Sequence, residues 1–177
     1  MRPLLAWPAP ELEAWCKEQG GRPFHARVAR RDVLRRGVTD AREMTGLPIS
    51  LREALSRDIP LLAGREVDRR VARDGTTKLL IEFPGDPSVT VETVHIPPSR
   101  ASSARGATLC VSTQAGCPVA CPFCASGMAG LARNLEPHEI IEQYVRGMEI
   151  GPLGRSVVMG IGAVSYTHLT LPTICSV

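Results

Sequence analysis

The sequence predicts an α/β protein in which a small helical domain precedes a β-hairpin and a strand–loop–helix–strand unit. Three observations predict it: helical periodicity with helix-stopping glycines up to about residue 62, a strand-like run at 77–83 followed by period-2 alternation at 89–96, and an apolar strand on each side of an amphipathic segment from 136 to 150. The chain has 177 residues, 44% of them apolar, which suits one or two globular domains and excludes wholesale disorder.

The first helix is expected over Pro10-Glu-Leu-Glu-Ala-Trp-Cys-Lys-Glu-Gln, stopped by Gly20 and Gly21. A second fits His25 to Arg36, closed by Gly37. A third fits Ile49-Ser-Leu-Arg-Glu-Ala-Leu, where Ser50 and Glu53 have capping-box spacing. Thr77-Lys-Leu-Leu-Ile-Glu-Phe and Val89-Thr-Val-Glu-Thr-Val-His-Ile flank the turn Pro84-Gly85-Asp86-Pro87 and read as a hairpin. Residues 99–106 read as a loop and Thr108-Leu-Cys-Val-Ser as a short strand. The helix at 136–150 is expected to turn Ile140, Ile141, Tyr144, Val145 and Met148 inward. Ser156 to Gly162 is expected to be a buried strand lying parallel to the Thr108 strand, because a helical crossover joins them.

Charge and cysteine usage narrow the function. The net charge is +3, with Lys17 and Lys78 the only lysines, and six arginines crowd one short helix: Arg22, Arg27, Arg30, Arg31, Arg35 and Arg36. Such a cluster is either a solvated helix face or a footprint for nucleic-acid phosphates. No run of about 18 apolar residues occurs, and the opening residues lack a signal-peptide pattern, so no membrane span and a cytoplasmic location are expected. Six cysteines in such a protein suggest metal or redox chemistry rather than a disulfide framework.

Three of them, Cys117, Cys121 and Cys124, form C-x3-C-x2-C in Gly116-Cys-Pro-Val-Ala-Cys-Pro-Phe-Cys. Three thiolates in one loop can hold three irons of a four-iron cluster and leave the fourth iron open. Structural zinc with Cys110 as fourth ligand is the competing reading, although zinc sites usually pair two C-x2-C arms. Taken alone, Cys110 in a strand reads as a small core residue and Glu92 as the solvent face of a hairpin. Cys16 reads as core. His25, His95 and His138 lack ligand spacing and read as surface or capping residues, with His25 close enough to the arginines to touch phosphate.

Cys110-Val-Ser-Thr-Gln-Ala-Gly-Cys-Pro-Val-Ala-Cys-Pro-Phe-Cys-Ala-Ser, with Gly130-Leu-Ala-Arg-Asn-Leu after it, resembles the dual-specificity ribosomal and transfer RNA adenine-C2 methyltransferases of the radical S-adenosylmethionine (SAM) class. Pro23-Phe24, Asp74-Gly-Thr-Thr-Lys, Val91-Glu-Thr-Val-His-Ile-Pro and Glu139-Ile-Ile extend the resemblance from residue 1 to Gly162. It implies a helical accessory RNA-binding domain at 1–62, a hairpin and linker at 63–106, and the start of a partial (β/α) radical SAM barrel at 107–162. It also implies a [4Fe-4S] cluster on Cys117, Cys121 and Cys124, with SAM bound near Phe123 and Gly162. In the family, a methyl group passes from SAM to a C-terminal cysteine, then to carbon 2 of adenine in 23S rRNA and tRNA. Glu92 matches the proton acceptor, and Cys110 matches the cysteine whose disulfide releases the product. The implied partners are those RNAs and an electron donor such as flavodoxin, and the implied state is a monomer. The carbon-8 adenine methyltransferases of the same superfamily are the nearest rival, and a non-catalytic zinc-dependent RNA-binding module the more distant one.

The resemblance stops at Gly162. Ala163 stands where the family has a SAM-binding glutamate, and Val164-Ser-Tyr-Thr-His-Leu-Thr-Leu-Pro-Thr matches one reading frame of a transposase-type sequencing adapter. Residues 163–177 are therefore expected to be an adapter-derived tail, with Cys175 no catalytic cysteine, and the chain as written is expected to be inactive.

Overall fold

The structure is a computed structural model that describes residues 1–98, 106–119, 121–122 and 124–162. The expected tail at 163–177 and Phe123 lie outside the described residues. The chain divides into two compact units, Met1–Ala63 and Gly64–Val177.

The first unit holds α1 (Ala9–Glu18), α2 (Phe24–Arg36) and α3 (Ile49–Asp58). Leu4, Leu12, Cys16, Ala29, Val33, Met44, Leu51 and Leu55 form its core, each at most 1% exposed. Fully burying one of the larger of these contributes about 1.5–3 kcal/mol. Gly37 ends α2 at φ 65°, a left-handed stop that lets Val38 N–H reach the Asp32 carbonyl at 3.2 Å. The expected Ser50 capping box is not present. Helix α3 starts on the extended Pro48, whose carbonyl accepts from Leu51 and Arg52 N–H, so Ser50 lies inside the first turn. His25 is buried, and its Nδ1 accepts from Arg22 N–H at 2.9 Å; it is a capping residue.

The second unit is built on a five-stranded sheet of order β1-β2-β3-β4-β7. Its strands are β1 (Arg65–Val71), β2 (Thr77–Phe83), β3 (Val89–Ile96), β4 (Ala107–Cys110) and β7 (Leu153–Val157). A small hairpin of β5 (Gln114–Gly116) and β6 (Leu131–Asn134) stands apart, and α4 (Pro137–Ile150) covers one sheet face. The β2–β3 hairpin forms in the expected frame, pairing Leu80 with Glu92. Strand β1 lacked any sequence signal because Arg65-Glu-Val-Asp-Arg-Arg-Val carries no alternation. It is an edge strand whose charges close on each other, Arg69 on Glu66 and Arg70 on Asp68, a composition that discourages edge-to-edge pairing.

Two features of the α4 region correct the sequence reading. The inner face of α4 is polar: Glu139, Glu142, Gln143, Val145, Arg146 and Gly147 are buried, while Ile141 is exposed and Ile140, Tyr144 and Met148 are half-buried. A true capping box, Glu136 with Glu139, starts this helix. Strand β7 does run parallel to β4, pairing Cys110 with Val157. It lies three residues earlier than expected, however, and is mostly exposed because no described strand covers its outer edge.

Alternation sorts the sheet into two faces. Leu79, Ile81, Phe83, Val91, Thr93 and Leu109 are each fully buried. Gly147 lets α4 approach β4 closely, since a Cβ there would come within 2.6 Å of Leu109 Cδ1. The other face carries Lys78, Leu80, Glu92, Val94, Thr108 and Cys110. His95 belongs to the buried face, contrary to its expected surface role. It is 6% exposed, and neither ring nitrogen has a partner among the described residues.

Burial holds the His95 pKa below its ordinary value of 6.5, because the charged imidazolium is the poorly solvated form. The unfolded chain therefore takes up the proton first, and the stability His95 contributes is present above about pH 6.5 and lost as pH falls toward the folded-state value. Thermal melts of the wild type should lose stability as pH falls through that window, and His95→Leu should remove this part of the slope. An unchanged slope in the variant would assign the loss to other groups.

Candidate functional site

The site is a cavity of about 480 Å³ on the open side of the sheet. Its lining brings together Glu92 from β3, Cys110 from β4, Cys117, Cys121 and Cys124 from the loop, and Gly160–Gly162. These residues span 71 positions of sequence, and the sheet gathers them. The pairing of β3 with β4 aligns Val94 with Cys110, which puts Glu92 and Cys110 on the same side of adjacent strands.

The cysteine loop is held at its neck by the β5–β6 hairpin. Cys117 N–H donates to the Gly130 carbonyl at 3.0 Å. Gly116 sits at φ 71° with its Cα turned onto that same carbonyl, so closely that a Cβ would overlap it. Only glycine fits there, because the position combines a left-handed backbone with no room for a side chain. Arg133 on β6 then locks the return strand, its two Nη groups bidentate on the buried Glu139 at 2.7 and 2.8 Å.

Cys117, Cys121 and Cys124 are free thiols, each partly exposed. Among the described residues no group of three or more His, Cys, Asp and Glu is drawn together closely enough to hold a single metal ion. The fit to a cluster rests on donor chemistry: three soft thiols open to a common cavity can each take a different iron. Cys16 is a different kind of thiol. Burial, with Glu13 nearby, pushes its pKa up to about 11, so it is inert core.

Glu92 is half-exposed and forms an ion pair with Lys78 Nζ at 2.8 Å. It also borders a smaller neighbouring cavity with Asp68, Arg70, Lys78 and Leu80. Cys110 is partly exposed in the main cavity. Gly162 is buried at φ 89°, where a Cβ would meet Thr113 Oγ1 at 2.7 Å, and its backbone forms part of the cavity wall.

Sequence reasoning overlooked Gln143. Its fully buried amide bonds to both Thr93 and Ser112, joining α4 to the strand that carries Glu92 and to the connector between Cys110 and Cys117. The only sequence signal was a polar residue at an inward helical position between Ile140 and Val145.

A cysteine loop opening after the C-terminal end of a strand, in a β–α–β frame, is an arrangement suited to an iron–sulfur cluster at the mouth of a partial barrel. The fold agrees: a radical SAM methyltransferase from Sphaerobacter thermophilus superposes with a TM-score of 0.76 at 32% identity, covering 98% of this chain and 51% of that one. The chain is also similar to dual-specificity RNA methyltransferases named RlmN. It is 39% identical over 164 residues to the probable member from Synechococcus sp. RCC307, and 41% identical over 162 residues to that from Parasynechococcus marenigrum. Those matches cover 92% and 90% of this chain but 45% of each relative, so the chain spans about half the length of the curated relatives it matches. No family model matches the chain.

Gly116→Ala should destabilise the cysteine hairpin by about 1–3 kcal/mol or more, the typical cost of forcing a non-glycine residue into a disfavoured backbone. Iron bound per chain after anaerobic reconstitution should fall with it. Gly130→Ala, where φ is also positive but a Cβ meets nothing within 4 Å, should cost less. Equal losses at the two positions would show that the close approach to the Gly130 carbonyl does not matter.

Proposed function

We propose that the protein methylates carbon 2 of adenine in 23S ribosomal and transfer RNA, and that this chain contributes the cluster loop, a proton acceptor and a thiol. The observation that carries this reading is the shared cavity: Glu92, Cys110 and the three loop cysteines line one wall system. Cys117, Cys121 and Cys124 would hold a [4Fe-4S] cluster with one iron left for SAM, and together these supply a carbon-centred radical by one-electron cleavage of SAM. Adenine carbon 2 is electron-poor, which is why radical addition rather than nucleophilic attack on a methyl donor suits it.

The chain's own residues then have separate tasks. Glu92 takes the proton that must leave the newly methylated carbon, and Lys78 holds the carboxylate in place from the adjacent strand. Cys110 would offer its thiolate to the sulfur of a methyl-carrying cysteine outside the described residues: the S–S bond forms as the carbon–sulfur bond to the product breaks, and the freed carbon takes a proton to become the methyl group. The backbone of Gly160–Gly162, without side chains at either end, leaves room for SAM beside the cysteine loop, and Phe123 would pack near the SAM adenine. The reading carries with it a cytoplasmic monomer and a one-electron donor such as flavodoxin. No helix among the described residues is long and apolar enough to cross a membrane.

The accessory unit would bind RNA through α2. Arg27, Arg31 and Arg35 recur every four residues and are exposed along one stripe. Arg30 is not part of that surface, since it donates to the Trp7 carbonyl. Arg31 and Arg36 both flank the buried Asp32, at 3.6 and 3.3 Å, and Arg31 keeps its place in the exposed stripe.

Anaerobic reconstitution with iron and sulfide tests the cluster. The chain should turn brown, with broad absorbance near roughly 400 nm, and Cys117→Ala, Cys121→Ala or Cys124→Ala should each lose it. Cys110→Ala and Cys16→Ala should keep it. A colourless zinc protein, or loss of iron from Cys110→Ala, sinks the assignment.

Charge reversal at Arg27, Arg31 and Arg35 should weaken RNA binding and make the salt dependence shallower by about 0.7–0.9 per lost phosphate contact. A slope equal to the wild type's would return these arginines to the solvated surface.

A further inference from the structure

Gln143 lies outside the cavity, yet its amide joins two segments that line it, and Ser112 carries the link to a third. Its Oε1 accepts from Thr93 Oγ1 at 2.7 Å and from Ser112 N–H at 2.8 Å, while its Nε2 donates to the Ser112 carbonyl at 2.8 Å. Ser112 extends the network on both sides. Its hydroxyl donates to the Glu92 carbonyl at 2.7 Å and accepts from Ile161 N–H at 3.2 Å. Gln143, Thr93 and Ser112 are each 0% exposed, so water cannot replace any of these bonds.

The three segments are the Glu92 strand, the connector that runs from Cys110 to Cys117, and the Gly160–Gly162 strap. Each contributes directly to the cavity lining. Antiparallel pairing of β3 with β4 ends at Cys110, and β4 itself stops there. Beyond that point no ladder sets the spacing between β3 and the connector, and the Gln143 amide supplies what the ladder no longer does.

We propose that Gln143 is a positioning residue that fixes the proton acceptor, the Cys110 thiol and the cysteine loop relative to one another. A side chain that both donates and accepts is required because Ser112 presents both a donor and an acceptor, and the amide does so at every pH. The inference rests on the functional reading above for the roles of Glu92 and Cys110, but the placement it claims can be measured without iron or RNA.

The test uses the iron-free chain and measures the rate at which iodoacetamide alkylates Cys110, followed by mass spectrometry. Gln143→Met removes all three bonds at similar volume, and Thr93→Val removes one. Val145→Ala destabilises the same helix from its apolar side without touching the network. Gln143→Met should raise the Cys110 rate about fivefold or more, as loss of one or two buried hydrogen bonds would allow, and Thr93→Val should raise it less. Val145→Ala should leave it near the wild-type rate. Gln143→Glu supplies a rescue that a merely structural role would not produce. Protonated, its side chain both donates and accepts, so the rate relative to wild type should be near one at low pH and climb as the acid ionises.

Equal Cys110 rates in Gln143→Met and Val145→Ala would overturn the proposal, as would a flat pH ratio for Gln143→Glu. If Gln143→Met does not fold, the Thr93→Val and Gln143→Glu arms decide. A wild-type chain that takes up no iron would defeat the functional reading alone, since the alkylation result is obtained without iron.

Discussion

The buried amide of Gln143 is the constraint on which the site depends. A buried donor or acceptor left without a partner costs about 1–3 kcal/mol, and Thr93, Ser112 N–H and the Ser112 carbonyl would all be left so without it. That penalty makes the arrangement all-or-none: α4, β3 and the cysteine connector dock in one register or leave several polar groups unpaired. An apolar helix face would bury comparable area but could slide along the sheet. The polar face of α4 cannot, because each group has a specific mate.

The same helix repeats the principle at its two ends. Near its start, Glu139 caps the helix and holds Arg133 of β6, the return strand of the cysteine hairpin. Farther along, Arg146 and Glu142 clamp the two backbone groups of Gly64, where the sheet begins. Arg133, Glu139, Glu142 and Arg146 form charged pairs that are largely desolvated, and removing one partner of such a pair is typically costly. Helix α4 thus serves as a template for the loop, the connector and the first strand. Glu92 and Cys110 are held by the sheet ladder, whereas the loop cysteines beyond β4 depend on these side-chain contacts for their placement.

The similarity to the RlmN relatives and the observed cavity support each other through chemistry. Cys110 and Glu92 have unremarkable local sequence environments, a cysteine in a strand and a glutamate on an alternating hairpin. What changes their reading is that the sheet brings both to the cavity lined by three clustered thiols. The neighbouring Lys78–Glu92 pair also shows how the open sheet face carries charge beside the cavity while the opposite face is packed with aliphatic side chains.

Local pattern was enough for the elements whose residues answer to their immediate neighbours. Helix α2 up to Gly37, the β2–β3 hairpin and the parallel relation of β4 to β7 were all legible, because capping, alternation and crossover length are short-range or topological constraints. The cysteine spacing pointed to cluster chemistry for a similar reason, since the ligands lie within one loop. Tertiary structure decided the rest. The charged β1 became a strand only because β2 offered it an edge, His95 became core because its strand position faces α4, and Ser50 lost its capping role to Pro48. Gln143 was invisible in the sequence because a lone polar residue on a helix gains meaning only from partners 31 and 50 positions away. Hydrogen bonds between such distant groups leave no periodic trace, and the packed fold alone determines which of them form.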